Sequence, residues 1–205
     1  MQLSAINILG VAGSMRADSY STKALKTALD LVKKYGAEVR LLDLSKTVLP
    51  LHDPGAPASG QVEEEKEAAR AVEWADAFIL ASPDYHGSMS GALKNFLDHF
   101  HREFGGKLFG YVVASHEKGL TAMDQMRTVM RQCYGWSMPY GVSVNGEQDF
   151  ANGRLVNAEV SKRLEMMARD LVAYSRLIRE QFVRDLESSE PYTFAARYRA
   201  LLKPA

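Results

Sequence analysis

The chain has one cysteine, no excess of either charge, and no apolar run long enough to span a bilayer. Each lack excludes something. Cys133 alone forms no internal disulfide, and no Cys/His cluster has the spacing of metal ligands, so no metal site is expected. Lys+Arg and Asp+Glu each total 25, which gives zero net charge. That removes the electrostatic footprint of a nucleic-acid binder, and also the strong acidity that steers some electron carriers to basic partners. Met1 leads into the apolar Ile6–Ala12 without a basic segment before it. No membrane association is expected, and a soluble, reduced, cytoplasmic protein is. Also missing are the G-x-G-x-x-G dinucleotide fingerprint and the G-x-x-x-x-G-K-[ST] triphosphate loop.

What is present is a regular alternation. Apolar runs too short for helices occur at Ile6–Ala12, Val39–Leu44, Ala77–Ala81, Leu108–Ala114 and Tyr140–Val144. Between them lie stripes of helical period: Leu25, Ala28, Leu29 and Val32; then Leu93, Leu97, Phe100 and Phe104. A long last helix carries Leu164, Ala168, Leu171, Ser175, Ile178 and Phe182. Strands apolar on both faces and alternating with helices predict a doubly wound α/β fold, a parallel sheet with helices on both faces. Five such units in 205 residues predict the five-stranded, flavodoxin-like strand order 2-1-3-4-5. One domain is expected over residues 1–182, followed by a C-terminal extension, 183–205.

In such a sheet, ligands bind outside the carboxyl ends of the strands where the order reverses, which is where the loops after strands 1, 3 and 4 meet. Those three loops carry the chemistry. The loop after strand 2, Ser45 to Gly60 with Pro50, Pro54 and Pro57, carries no comparable signature. The first loop, Gly13 to Thr22, offers the hydroxyls of Ser14, Ser19, Ser21 and Thr22 with the fork of Arg16, at the start of a helix. Hydroxyls, a cation and free amides at a helix N-terminus suit a phosphate, although Ser and Thr also serve as plain helix caps. The missing pyrophosphate and triphosphate motifs make it a monophosphate. In the second loop Pro83 stiffens the exit from strand 3, so that Asp84, Tyr85, His86 and Gly87 present amides and an aromatic surface. Ser88 is expected to cap the following helix. The third loop runs from Ser115 to Gly119 and opens a helix expected over 121–134. Its positive end would stabilise negative charge at a flat ring. A mononucleotide with a flat ring, and flavin mononucleotide best of all, matches the set.

Gly13-Ser14-x-Arg16-x-x-Ser19 and Pro83-x-Tyr85-His86-x-Ser88-x-x-Gly91-x-Leu93-Lys94-Asn95 resemble the NADPH-dependent FMN reductase family, which includes flavin, quinone, chromate and azo-dye reductases. The similarity spans about residues 4–180. It implies an FMN-dependent NAD(P)H oxidoreductase. Hydride passes from NADPH or NADH to N5 of FMN, and a small acceptor (a flavin, quinone, metal oxyanion or azo compound) takes the electrons from the same face. The cofactor carries that chemistry, so no side chain is assigned a catalytic role. The resemblance places Ser14, Arg16, Ser19, Tyr20, Ser21 and Thr22 at the FMN phosphate. Pro83, Asp84, Tyr85, His86, Gly87 and Ser88 lie along the ring, and Ser115 and Gly119 border its pyrimidine side. Two positions depart from the family pattern: His86 stands where Asn is usual, and Ser21 where many relatives have Asn.

Two other readings are a non-enzymatic FMN electron carrier and a flavin-binding protein without turnover. Asp98, His99, His101 and Glu103 look like an acid/base cluster but are expected on an outer helix face or an interface. Phe96, Phe100 and Phe104, with Tyr192, Phe194, Tyr198, Leu201 and Leu202 of the extension, make more apolar surface than one sheet face covers. A homodimer or homotetramer with the extension gripping a neighbour is therefore expected.

Overall fold

The computed structural model describes residues 5–55 and 62–202; Met1, Pro57 and the side chains of Leu201 and Leu202 lie outside the described residues. Three strands, β1 (Ile6–Ala12), β3 (Ala77–Pro83) and β4 (Leu108–Ala114), form the buried centre of a parallel sheet flanked by β2 (Ala37–Asp43) beside β1 and β5 (Trp136–Ser137) beside β4, in the order β2-β1-β3-β4-β5. Every residue of β3 is buried, as expected of a strand covered on both faces. The edge strand β2 (Ala37–Asp43) differs: Glu38, Arg40 and Leu41 are exposed, so only part of it reads as a buried strand.

The fifth place in the sheet is split. The expected single strand 140–144 is instead two short pieces, β5 (Trp136–Ser137) and β6 (Val142–Val144), both paired in parallel with β4. Pro139 lies between them, and a proline cannot donate to the ladder. A small antiparallel hairpin, β7 (Phe150–Ala151) with β8 (Arg154–Leu155), follows.

One helical layer holds α1 (Tyr20–Lys34) and the long α6 (Ala158–Glu187), which passes through residue 182. The expected stripe is its buried face: Leu164, Ala168, Leu171, Ser175 and Phe182, with Met167 and Val172. The other layer holds α2 (Glu63–Trp74), α3 (Gly91–Asp98) and α4 (Leu120–Gln132). Here α3 stops at Asp98, and Phe104 sits on a separate short turn, 102–104. The phenylalanines are not surplus surface. Phe96 and Phe104 are fully buried, Phe78 stacks on Phe109 at 4.7 Å, and Phe104 meets both edge-on at 5.5 Å. Asp98 pairs with Lys94 at 2.6 Å, while His99 lies nearly buried between the Pro50 carbonyl (3.0 Å) and Glu65 (3.5 Å), strapping the loop after β2 onto α3.

The extension also finds a partner within the chain. After α6, helix α7 (Phe194–Leu202) turns back, and Phe194 stacks on Tyr134 at 4.7 Å and on Phe182 at 5.9 Å. Tyr198 meets Phe182 edge-on at 5.4 Å, and Ala195 is buried. The premise that these aromatics find no acceptor within the chain does not hold, because the fold brings Tyr134, sixty residues before Phe194, and the end of α6 against them.

At the amino end of β4, Lys107 is buried, with its ammonium donating to the Val72 carbonyl at 2.8 Å near the end of α2. Burial, with Arg179 nearby, lowers its pKa from 10.5 to about 8. The unfolded chain therefore binds more protons between pH 8 and 10.5, and this group's contribution to stability rises through that window. Relative to Lys107→Met, the native chain is expected to gain about 3 kcal/mol between those limits, measured by urea unfolding. The comparison is needed because Tyr111 and Tyr140, whose hydroxyls burial pushes above the ordinary range, act in the opposite direction at higher pH.

Candidate functional site

A crevice of about 350 Å³ opens at the carboxyl end of the sheet, lined by Ser14, Arg16, Ser19, Tyr20, Pro83, Asp84, Tyr85, Ala114, Ser115, His116, Gly146 and Glu147. All three loops singled out in the sequence contribute to it. The register brings them level: Ala12 pairs with Ala81 across β1 and β3, and Pro83 with Ala114 across β3 and β4.

The first loop is drawn tight against α3. The Gly13 amide donates to the Ala81 carbonyl at 2.8 Å, and its own carbonyl accepts from Ser90 Oγ at 2.5 Å. A Cβ on Gly13 would stand 2.8 Å from the Leu93 Cβ and 2.9 Å from the Ala81 oxygen. The glycine is needed for close approach, and not for the turn itself. Beyond it, Ser14 is buried and Arg16 exposed, with no partner for the guanidinium among the described residues. Ser19 is the N-cap residue of α1, yet its hydroxyl makes no cap bond and lies 2.8 Å from Ser21 Oγ. The first turn of α1 contains no acidic residue either. Its amides and dipole therefore face the crevice beside an unpaired cation, an arrangement that accepts an anion.

The second loop is a two-residue hairpin. Tyr85 N–H donates to the Ser88 carbonyl at 2.9 Å and Ser88 N–H returns to Tyr85 at 3.1 Å. The central residues, His86 at φ 58° and Gly87 at φ 76°, both take the left-handed conformation of a type I′ turn. Asn-Gly is the usual pair for such a turn, and His is among the non-glycine residues that tolerate the conformation, so the departure at His86 preserves the backbone. The hairpin holds Tyr85 47% exposed at the mouth of the crevice. Its cap differs from expectation. Ser90, and not Ser88, caps α3, accepting from Leu93 N–H at 3.2 Å, while Ser88 Oγ donates to Gln125 on α4 at 2.7 Å.

The third loop is tied to the second by Asp84, which accepts from Ser115 Oγ at 3.0 Å and from Gly87 N–H at 2.8 Å. Gly119 is the N-cap residue of α4, which begins at Leu120. Of the residues named from sequence, Ser21, Thr22, His86, Gly87, Ser88 and Gly119 are not among the lining residues; Ser21, Thr22 and Gly119 are buried, and His86 is exposed at the hairpin tip.

A fourth wall escaped the sequence reading. After β6, Asn145, Gly146 and Glu147 begin the short α5 (Gly146–Asp149), where buried Asp149 accepts from Asn145 N–H and Asn157 Nδ2, each at 2.6 Å. The Asn145 side-chain Nδ2 donates to the His116 carbonyl at 3.3 Å. Tyr20 lies across Gly146, with Phe150 at 5.2 Å behind it. The signal was faint: Asn-Gly after a three-residue strand carries no hydroxyl or cation.

The family model for NADPH-dependent FMN reductases matches residues 6–149. The chain belongs to that family. Its chemistry is accordingly that of an oxidoreductase with FMN as cofactor and a reduced nicotinamide nucleotide as hydride donor, which answers the non-enzymatic alternatives. An NAD(P)H-dependent FMN reductase of Pseudomonas aeruginosa is 31% identical over 186 residues, covering 85% of this chain and 97% of that protein. The NADPH-dependent FMN reductase ArsH of Shigella flexneri is 28% identical over 183 residues, 85% of this chain and 70% of its own. Among solved structures, the flavoenzyme NAD(P)H:(acceptor) oxidoreductase FerB of Paracoccus denitrificans superposes with a TM-score of 0.71, at 19% identity, over 84% of this chain and 98% of that one, a likeness of fold.

The donor set fits the family's cofactor: free amides, hydroxyls and one cation on the α1 side, a flat aromatic hairpin on the other. Gly146→Ala tests the unforeseen wall, because its methyl group would overlap the Tyr20 ring. FMN affinity is expected to fall at least about tenfold, equivalent to about 1.4 kcal/mol, in a fluorescence titration. Unchanged affinity would detach this wall from the site.

Proposed function

We propose that FMN occupies this crevice with its phosphate at Ser14, Arg16, Ser19 and the first-turn amides of α1, and its ring between the Tyr85 hairpin and the Ser115–His116 loop. One observation carries the reading: an anion-accepting helix start and an aromatic, amide-rich hairpin open on the same crevice. Bound there, FMN would supply a reversible two-electron, hydride-accepting ring. The chain's own part is positional. Arg16 and the α1 dipole hold the phosphate, Pro83 and the type I′ turn fix Tyr85 at the ring's edge, and the walls leave one side open to a nicotinamide and then to an acceptor. The acceptor is a small oxidant able to use that open side, a flavin, quinone, metal oxyanion or azo compound. Relatives bearing the names NAD(P)H:quinone oxidoreductase, from Solanum tuberosum, and FMN-dependent NADPH-azoreductase, from Staphylococcus aureus, favour the organic acceptors.

The working form in this reading is a cytoplasmic homodimer or homotetramer, because the open side needs more wall than one chain provides. Met15, Tyr85 and Leu120, each about half exposed on or next to the three loops, are the surface a second copy would cover. The extension would contribute through Tyr192, which is 95% exposed, since its other described aromatics are occupied within the chain.

Purified protein is expected to bind one FMN per chain and to lose the flavin absorbance bands when NADPH is added under argon. Arg16→Ala should weaken FMN binding by about 1.5–3 kcal/mol, the range for a hydrogen bond to a charged group, and leave riboflavin affinity nearly unchanged. No flavin binding at all, or equal losses for FMN and riboflavin, would contradict the placement.

A further inference from the structure

The two ring-side segments, the Tyr85 hairpin and the Ser115 loop, are joined through a single carboxylate. Asp84 Oδ1 accepts from the Gly87 amide at 2.8 Å, inside the hairpin that carries Tyr85. Asp84 Oδ2 accepts from Ser115 Oγ at 3.0 Å, in the next loop. The Asp84 backbone amide donates to the Ala114 carbonyl at 2.8 Å, and the Ser115 amide donates to Val144 at 3.0 Å, which carries the connection to β6. Ser115 Oγ in turn accepts from the Glu117 amide at 3.1 Å. No cation is paired with the carboxylate among the described residues, so its charge is hydrogen-bonded but not neutralised.

We propose that Asp84 is a positioning residue which locks the Tyr85 hairpin to the Ser115 loop and places an uncompensated negative charge in the wall of the crevice, lowering the reduction potential of the flavin bound there. The inference rests on the placement of FMN proposed above. Each hydrogen bond has a distinct role. The bond to Gly87 holds the left-handed turn, and the bond to Ser115 sets the width between hairpin and loop. A half-buried carboxylate is screened less than a surface one, so it opposes the negative charge that reduction adds to a ring beside it. The consequence is tighter binding of oxidised than of reduced FMN, and a stronger reductant once hydride has been accepted.

The experiment compares the native protein with Asp84→Asn, Ser115→Ala and Asp84→Ala. Two quantities are read: the dissociation constant of oxidised FMN, by fluorescence, and the midpoint potential of the bound flavin, by spectroelectrochemical titration. Asparagine keeps an acceptor for Gly87 and a group able to bond Ser115 while removing the charge. Asp84→Asn is expected to retain oxidised FMN within about threefold of native and to raise the potential by at least about 30 mV, tenfold in the ratio of oxidised to reduced dissociation constants. Ser115→Ala keeps the charge and cuts one tether. Its potential ratio should change less than threefold while oxidised FMN binds several-fold more weakly. Asp84→Ala should show both effects. A potential ratio altered less than twofold in Asp84→Asn overturns the proposal, and so does native affinity for oxidised FMN in both Ser115→Ala and Asp84→Ala. If the native protein binds no FMN, the placement of the cofactor falls with it; if native binding is normal and only the variants disagree, this inference falls alone.

Discussion

Everything at the site depends on the register of β1, β3, β4 and β6. Ala12, Ala81, Val112 and Val142 stand in line across the sheet, as do Pro83, Ala114 and Val144, so four chain segments leave the sheet at nearly one level. A shift of one residue in any central strand would turn its buried face outward and move its loop out of reach of the others. Burial on both faces makes that shift costly: Ile8, Leu9, Phe78, Ile79, Leu80 and Val112 are fully buried. The core of the protein is thus what aligns its crevice.

A second set of contacts converts aligned strands into a shaped wall. Ser90 joins α3 to Gly13, Asp84 joins the hairpin to the third loop, and Asp149 holds the turn that brings Gly146 beneath Tyr20. Each uses a buried or half-buried polar group on backbone groups or polar side chains of another segment, so the loops need little packing of their own. The opposite end of the sheet is organised differently. There Lys107, Phe182, Tyr134 and α7 seal the amino ends of the strands, well away from the crevice. A mutation at that end should alter stability, and one at the carboxyl end should alter ligand binding.

Much of this was legible in the chain, for physical reasons that also explain the misses. Strands β1, β3 and β4 read clearly because double-sided burial demands unbroken apolar runs, whereas β2 shows its outer residues to solvent. Trp136–Ser137 pairs over only two residues, too short for any periodicity, and Pro139 hides its connection to Val142. Ser14, Arg16 and Tyr85, which line the crevice, were legible because the proposed phosphate and ring chemistry calls for particular side chains. Gly146 did not, since its contribution is the absence of a side chain under Tyr20. The packing of Phe194 and Tyr198 on Tyr134 and Phe182 was invisible because it joins residues brought together only by the fold.

The most direct test is a crystal structure of the protein grown with FMN. The expected result is one flavin in the crevice, its phosphate within hydrogen-bond distance of Ser14 and the first amides of α1, and its ring between Tyr85 and Ser115. A flavin bound away from this crevice, or one reversed so that the phosphate meets the Ser115 loop, would contradict the account.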